Sequence, residues 1–205
     1  MERLTTIFFG AGFGFFAIAF VLSFIFPWAT LSSYHGMEFR TLEQLSEKPI
    51  PEFQELAATY PEEFKAAFGE VSPAAFGKAL QLGRDTYVAE ACWHCHSQFI
   101  RPVANEEDRW GPVSTAQEYQ NTLNLPHLWG TRRVGPDLGR VGGKLSNDWH
   151  AAHLYDPRLV VPESVMPSYP WFFGENDRPN ERGLAVIAYL QWLGTEKKGR
   201  PDGNR

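Results

Sequence analysis

The sequence predicts a mostly α-helical domain with long loops, tethered by one N-terminal transmembrane helix. Three observations predict this fold class. A long apolar run near the N-terminus carries no charge, three later segments repeat apolar residues at helical spacing, and no segment alternates apolar and polar residues as a strand would. The length of 205 residues fits one medium-sized domain plus an accessory segment.

The composition excludes several classes of protein. With 19 basic and 24 acidic residues the formal charge is −5, which argues against nucleic acid as a partner because such proteins usually carry a basic face. An aromatic content of 15% argues against intrinsic disorder. A mean hydropathy of −0.31 excludes a polytopic membrane protein but leaves room for one span. The only cysteines are Cys92 and Cys95, so the chain is no disulfide-stapled scaffold.

Residues 5–28 are predicted to form the membrane anchor, in contact with lipid. No charged residue lies between Arg3 and Glu38, and the 22 residues from Ile7 to Trp28 are almost all apolar. As a helix they would span about 33 Å, against a bilayer core of about 30 Å. A cleaved signal peptide is the rival interpretation, but the run is longer than a usual signal-peptide core and only one basic residue precedes it.

The following segment, residues 29–72, holds the whole net charge of the chain. It contains eight Glu and three Arg or Lys, for a charge of −5, whereas the parts before and after it are each neutral. Pro49, Pro51 and Pro61 divide it into short pieces. We therefore expect an acidic neck of short helices or loops, then a globular domain at 73–194 and a flexible polar tail at 195–205.

Three helices are expected in the globular domain. Ser72 can cap the first, Pro73 suits its first position, and Ala74, Leu80 and Tyr87 recur on one face. The loops between these helices are rich in Gly and Pro and are long for so small a domain, which indicates that something other than side chains helps to fill the core. The predicted helices cover residues 73–89, 147–156 and 180–193.

The strongest motif is Cys92-Trp93-His94-Cys95-His96, a CxxCH sequence that follows the first predicted helix. This is the attachment pattern of c-type haem: two thiols add to the two vinyl groups of one porphyrin, and the next imidazole reaches the iron. A thioredoxin-like pair would need a βαβ context, and a zinc site would need further ligands at metal-binding spacing. We therefore expect one covalent haem c, held by Cys92 and Cys95, with His96 as an iron ligand.

Counting methionines predicts the second iron ligand. Met1 is the first residue and Met37 lies close to the anchor, so Met166 remains, downstream of the motif and before the last helix. A Met thioether raises the reduction potential of haem iron. With both axial positions filled, the iron transfers electrons and does not bind a substrate. Three later histidines, His127, His150 and His153, are the alternative ligands, and of the His150–His153 pair we expect one to pack and one to face solvent. His94, between the cysteines, is expected to face solvent or a propionate.

The segment Gly135-Pro136-Asp137-Leu138 lies between the two expected ligands. It is similar to a turn of c-type cytochromes in which the proline carbonyl accepts the Nδ1–H of the ligand histidine and fixes its orientation. That similarity assigns the acceptor role to Pro136 and places Leu138 on the haem face. Arg132 and Arg133 precede the turn and are candidates to neutralise the haem propionates.

Four segments carry a resemblance to a known family. They resemble the mono-haem subunit II of cbb3-type cytochrome c oxidases, which has a class I cytochrome c-like haem domain behind one anchor. The resemblance covers the span and residues 83–173. Phe99 stands where the family often has Met, which removes one possible sulfur ligand, and Trp110 stands where it often has Tyr. The segments are CWHCHSQFIRP (92–102), GPDLGRVGG (135–143), NDWHAAHL (147–154) and VVPESVMPSYPW (160–171).

The resemblance implies an electron-transfer role. Such a subunit takes electrons from another c-type cytochrome, a further subunit or a soluble protein. It passes them to the low-spin haem of a haem–copper catalytic subunit, which reduces oxygen, and no catalysis occurs on the mono-haem chain itself. It lies in the bacterial cytoplasmic membrane with its N-terminus cytoplasmic and its haem domain periplasmic. The alternatives are the cytochrome c subunit of a nitric oxide reductase and a free-standing anchored electron-transfer cytochrome.

Overall fold

The computed structural model describes residues 2–31, 36–130 and 132–195. It divides the chain into two compact units, residues 1–38 and 39–205. Most of the predicted polar tail, from residue 196 onward, lies outside the described residues.

The first unit contains a continuous apolar helix over Glu2–Thr30. Its two α-helical parts, α1 (Glu2–Phe20) and α2 (Phe26–Thr30), are joined by a π-helical turn at Val21–Ile25. The whole stretch is long and apolar enough to cross a membrane, as the sequence predicts. In the widened turn, the N–H of Phe26 bonds to the carbonyl of Val21, five residues back. The next residue is Pro27, which lacks an N–H, so the ordinary helical hydrogen-bond pattern cannot continue through it.

The described part of the second unit is helical, and no β-strand occurs there; two isolated bridges are its only sheet-like pairs. This confirms the predicted mostly α-helical class with long loops. Short 3₁₀ turns occur in the long connections around α9. The helices are α3 (Leu42–Ser46), α4 (Pro51–Thr59), α5 (Pro61–Phe68), α6 (Pro73–Ala89), α7 (Cys92–Cys95), α8 (Glu106–Trp110), α9 (Asn147–Tyr155) and α10 (Glu181–Trp192).

Helices α6 and α10 form the centre of the core. They cross at Gly83, where a β-carbon would lie 2.1 Å from the carbonyl oxygen of Ala185, so only glycine permits this close approach. The Tyr87 and Tyr189 rings pack against each other beside the crossing, tilted by 59° with centroids 5.6 Å apart, and both are buried. This crossing holds the C-terminal end of α6, and therefore the start of α7, against the core.

The predicted cap of α6 is confirmed, because the Ser72 side chain accepts the N–H of Ala75. The other two long helices are capped as well: the Ser146 side chain accepts the N–H of Trp149, and Asn180 caps α10. The predicted face of α6 needs one correction, because Ala74 is exposed. The buried face runs instead through Ala75, Phe76, Ala79, Leu80, Gly83 and Tyr87.

Residues 39–72 differ from the predicted neck, because they are part of the same compact unit as the helices that follow. Their apolar side chains are buried in the common core, and the Phe53 ring lies 5.0 Å from Phe64 and 4.9 Å from Phe76. Two of the three prolines expected to divide this segment, Pro51 and Pro61, stand at the first positions of α4 and α5, where proline favours a helix start. The acidic side chains Glu55 and Glu62 face outward.

Polar contacts also tie this segment to the later chain. The Tyr60 hydroxyl donates to Asp148 at 3.1 Å, and the Asn147 side-chain amide donates to the carbonyl of Glu52 at 2.8 Å. Arg178 pairs with Glu63. The three short helices α3–α5 therefore cover α6, α9 and α10 on one side of the domain.

Candidate haem-binding site

The CxxCH segment begins directly after α6. Ala91 adopts a left-handed conformation (φ 57°) that turns the chain from α6 into the single helical turn α7. Cys92 is half-buried and Cys95 is exposed, and neither forms a disulfide. Burial, with the neighbouring charge of Glu90, raises the pKa of the Cys92 thiol to about 12, so the thiol is neutral at pH 7. The exposed His94 ring stacks on Trp93 (centroids 3.9 Å apart), as expected of a histidine at the surface.

The orientation of the His96 ring is fixed by Gly135 and Pro136. Its Nδ1 lies 2.9 Å from the carbonyl oxygen of Pro136. A carbonyl only accepts, so Nδ1 carries the proton and Nε2 keeps a free lone pair. Burial lowers the pKa of His96, which favours the neutral imidazole that a metal requires. The Tyr87 hydroxyl, which donates to the His96 carbonyl at 2.8 Å, ties the same residue to α6.

Gly135 makes the close contact with His96 possible. A β-carbon at this position would lie 2.2 Å from Cε1 of the His96 ring. The Gly135 N–H also donates to the Cys95 carbonyl, at 3.1 Å. The turn is thus held against α7 by a backbone hydrogen bond and by the bond from the imidazole to Pro136, so the ring cannot move without moving the turn.

Leu138 and Met166 are half-buried at the edge of the core. They pack against the same group of buried residues as Cys92 and Trp93. The Leu138 N–H donates to the Ser97 carbonyl at 2.8 Å, and the Met166 N–H donates to the Ser164 hydroxyl at 3.2 Å. The structure therefore brings the Leu138 and Met166 loops and the CxxCH turn against the same buried core.

The two arginines before the turn have different surroundings. Arg132 is exposed. Arg133 donates to the buried Glu106 carboxylate at 2.7 Å and to the Phe99 carbonyl, and its guanidinium lies 3.7 Å from Asp137. The sequence offered both arginines as candidates to neutralise the haem propionates. In the structure both terminal nitrogens of Arg133 have partners within the polypeptide. Arg133 therefore pairs with Glu106 and the Phe99 carbonyl.

Asp137 is a residue that the sequence reasoning did not single out. Its buried carboxylate accepts the N–H of Phe99 at 3.0 Å and that of Gly139 at 2.8 Å, which fixes the turn that carries Pro136. Burial raises the pKa of this carboxyl, although the two N–H groups and Arg133 oppose the shift. The sequence signal was present, since an Asp directly after Pro in a Gly-rich turn is placed to bond to its own backbone.

A second loop supports the CxxCH turn from the other side. The buried Arg84 guanidinium of α6 donates to the carbonyls of Leu123 and Leu125, at 2.6 and 2.5 Å. The same loop brings Gly130 against α7, where a β-carbon would lie 2.0 Å from the Trp93 carbonyl oxygen. Sequence reasoning missed this role of Arg84, because nothing local marks an arginine that bonds to carbonyls about 40 residues away.

The donor set of this site fits a haem. Two cysteines and one imidazole stand in a single turn, the imidazole presents an unshared Nε2, and apolar side chains line the surroundings. Together with the helical architecture and the apolar N-terminal helix, these features define a cytochrome c-like domain with a single anchor.

A scan against protein-family models matches residues 69–183 to the family described as cytochrome C oxidase, mono-heme subunit/FixO. The match covers more than half of the chain, so the protein belongs to this family, and the resemblance to the mono-haem subunit of cbb3-type oxidases is confirmed. It is therefore a mono-haem subunit of a cytochrome c oxidase complex. A search of curated proteins finds no match.

Proposed function

We propose that this chain relays electrons from another c-type cytochrome to the low-spin haem of a haem–copper catalytic subunit, where oxygen is reduced. The observation that carries the proposal is the His96–Pro136 contact of 2.9 Å, which leaves Nε2 free in a turn that also holds both cysteines. The family match supports an oxidase complex as the setting. The donor is either a further cytochrome subunit or a soluble cytochrome c.

In this proposal the chain's own residues would hold and orient one haem c. Cys92 and Cys95 would form the two thioether bonds, His96 Nε2 and Met166 Sδ would ligate the iron, and Pro136 orients the imidazole. Leu138 packs on the haem face, and Arg132 is exposed toward solvent, where it can meet a propionate. The haem supplies one-electron redox chemistry. With His96 and Met166 both holding the iron, the chain would carry electrons and would itself do no catalysis.

The apolar helix supports a single-span anchor in the bacterial cytoplasmic membrane. Covalent attachment of c-type haem takes place on the periplasmic side, so we place the N-terminus in the cytoplasm and the second unit in the periplasm. Protease added to intact spheroplasts should digest residues beyond 38 and leave the first unit protected. Protection of the whole chain would contradict this orientation.

Turnover of the purified complex tests the function. A complex containing this chain should oxidise reduced cytochrome c with oxygen, and Met166→Ala should slow electron uptake while leaving the haem attached. Met37→Ala is the matched control, since Met37 lies outside the second unit. Turnover with nitric oxide and none with oxygen would assign the chain to a nitric oxide reductase. Isolation without any haem–copper subunit would indicate a free-standing cytochrome.

A further inference from the structure

Three aromatic rings stack at the surface of the second unit. The ring centroids of His127 and Trp129 lie 4.5 Å apart at an interplanar angle of 14°, and those of Trp129 and Phe99 lie 4.8 Å apart at 26°. The Tyr119 ring packs edge-on against this stack, 5.4 Å from Trp129. Trp129 is nevertheless 43% exposed, and His127 is exposed as well. Exposed aromatic side chains of this kind are typical of contact sites for other proteins.

Hydrogen bonds hold this aromatic stack in place. The Tyr119 hydroxyl donates to the Gln98 carbonyl at 2.8 Å, and the Gln98 N–H donates to the Leu128 carbonyl at 3.2 Å. The His127 Nδ1 lies 2.8 Å from the carbonyl oxygen of Asn124, and because a carbonyl only accepts, Nδ1 carries the proton. A surface that is already ordered loses little conformational entropy when a partner binds, so its contacts contribute more fully to affinity.

The aromatic stack is continuous with the turn that carries both cysteines. Trp129 is followed by Gly130, and a β-carbon on Gly130 would lie 2.0 Å from the carbonyl oxygen of Trp93. Trp93 itself stands between Cys92 and Cys95. One peptide unit and one backbone contact therefore separate an exposed indole ring from the residues expected to bind the haem. Because electron tunnelling slows steeply with distance, such a short route is favourable for electron transfer to this site.

The segment that presents these rings carries no charged residue. Residues 119–130 contain no Asp, Glu, Lys or Arg, and Leu125 and Pro126, just before His127, are exposed and apolar. A partner on this segment is therefore held by apolar contact and not by ion pairs, which mainly set association rates and specificity elsewhere. In the proposed relay the partner also carries a redox centre. The uncharged apolar rim around an exposed haem edge of a c-type cytochrome is complementary to this surface.

We propose that the aromatic stack is the electron-entry surface of this chain, on which the donor c-type cytochrome docks with its haem edge against the Trp129 ring. The inference rests on the proposed function, because it requires a haem at Cys92 and Cys95. One electron passes from the reduced iron of the donor to the oxidised iron held by this chain. No bond forms or breaks, and Trp129 is not itself oxidised, because its ring only shortens the gap that the electron crosses.

Stopped-flow mixing of the complete oxidised complex with a reduced, soluble mono-haem cytochrome c tests the proposal. Trp129→Ala should lower the second-order rate constant for reduction of this chain's haem about tenfold or more, the effect of removing a central aromatic contact. Trp129→Phe keeps a ring and should retain most of the rate. Val71→Ala is the control, since Val71 is exposed and precedes the opposite end of α6 from the CxxCH turn. Reduction by ascorbate with a small mediator, and the weak red absorption band of methionine-ligated haem, should be unchanged in every variant.

The outcomes separate this surface from the proposed function. A wild-type rate in Trp129→Ala, or an equal loss of rate with ascorbate, would overturn the entry surface. Normal reduction of this chain's haem with slowed oxygen uptake would also overturn it, because the stack would then face the catalytic subunit. If Trp129→Ala does not fold, His127→Asp decides: it places a charge beside the exposed indole and should slow the donor, and a wild-type rate overturns the proposal. The relay function itself fails if the wild-type complex takes no electron from reduced cytochrome c.

Discussion

Gly135 and His96 pack so closely that a β-carbon on Gly135 would lie 2.2 Å from Cε1 of the imidazole. The next residue, Pro136, supplies the carbonyl that fixes the Nδ1 proton of the same ring. One short segment therefore sets both the position and the tautomer of the expected iron ligand. Because Gly135 has no side chain, the imidazole can approach closely enough to bond to the Pro136 carbonyl.

Gly135→Ala should displace the imidazole and lengthen or break its bond to Pro136. We expect a lower yield of protein with haem in its normal ligation, and a changed reduction potential in the protein that forms. Gly174→Ala is the control, because a β-carbon at Gly174 meets no atom within 4 Å. Equal spectra and potentials for both variants would contradict the steric role of Gly135.

Phe53→Ala tests whether residues 39–72 are part of the folded domain. Phe53 is fully buried among aromatic rings of α5 and α6, so its truncation should lower the free energy of unfolding by about 3–5 kcal/mol. Glu55→Ala, at an exposed position on the same helix, should change it by less than about 0.5 kcal/mol. Denaturant unfolding of the solubilised haem protein gives both values. A small effect of Phe53→Ala would show that residues 39–72 do not contribute to the core and act as a linker.

Glu106→Gln should destabilise the domain and change its dependence on pH. Burial raises the pKa of Glu106, but bonds from Arg101 and the charge of Arg133 outweigh burial and hold the pKa below 4.5. The carboxylate therefore stabilises the fold above about pH 4.5, and this contribution is lost as the pH falls through the lowered pKa. The substitution leaves two arginines without their buried partner, at a cost of about 3 kcal/mol.

Unfolding by urea from neutral pH down to about pH 3 measures this effect. The loss of unfolding free energy with falling pH that we assign to Glu106 should be missing in the Gln variant. Glu107→Gln, at an exposed neighbour, is the control and should behave as wild type. An identical pH profile for Glu106→Gln and wild type would show that the ion pair does not contribute.

Glu90→Ala should loosen the loop that ends at Trp171. Glu90 lies two residues before Cys92. Its carboxylate accepts the indole N–H of Trp171 at 3.1 Å and a guanidinium N–H of Arg182 at 2.6 Å. Because these contacts are partly exposed, we expect global stability to fall by less than about 1 kcal/mol. Methionine ligation should weaken, seen as loss of the red absorption band on mild heating. Glu181→Ala, which removes a surface pair with Lys78, should not have this effect.

The candidate site could be predicted largely because its chemistry is local. The CxxCH pattern occupies five consecutive residues, and a count of three methionines was enough to select Met166. The contacts of Glu106 and Arg84 depend on chain segments that meet only in the fold. No periodicity or motif marks an arginine bonded to distant carbonyls or a buried carboxylate paired with a distant arginine.

By itself the sequence determined the anchor, the three long helices and the expected haem ligands, because each of these depends on neighbouring residues: apolar length, capping side chains and motif spacing. Only the tertiary structure decided where residues 39–72 belong. Their charge and prolines are typical of a linker. In the fold, however, the apolar face of these short helices fills the core. The free energy gained by burying Phe53, Leu56 and Phe64 depends on the distant helices α6 and α10, which no local pattern shows.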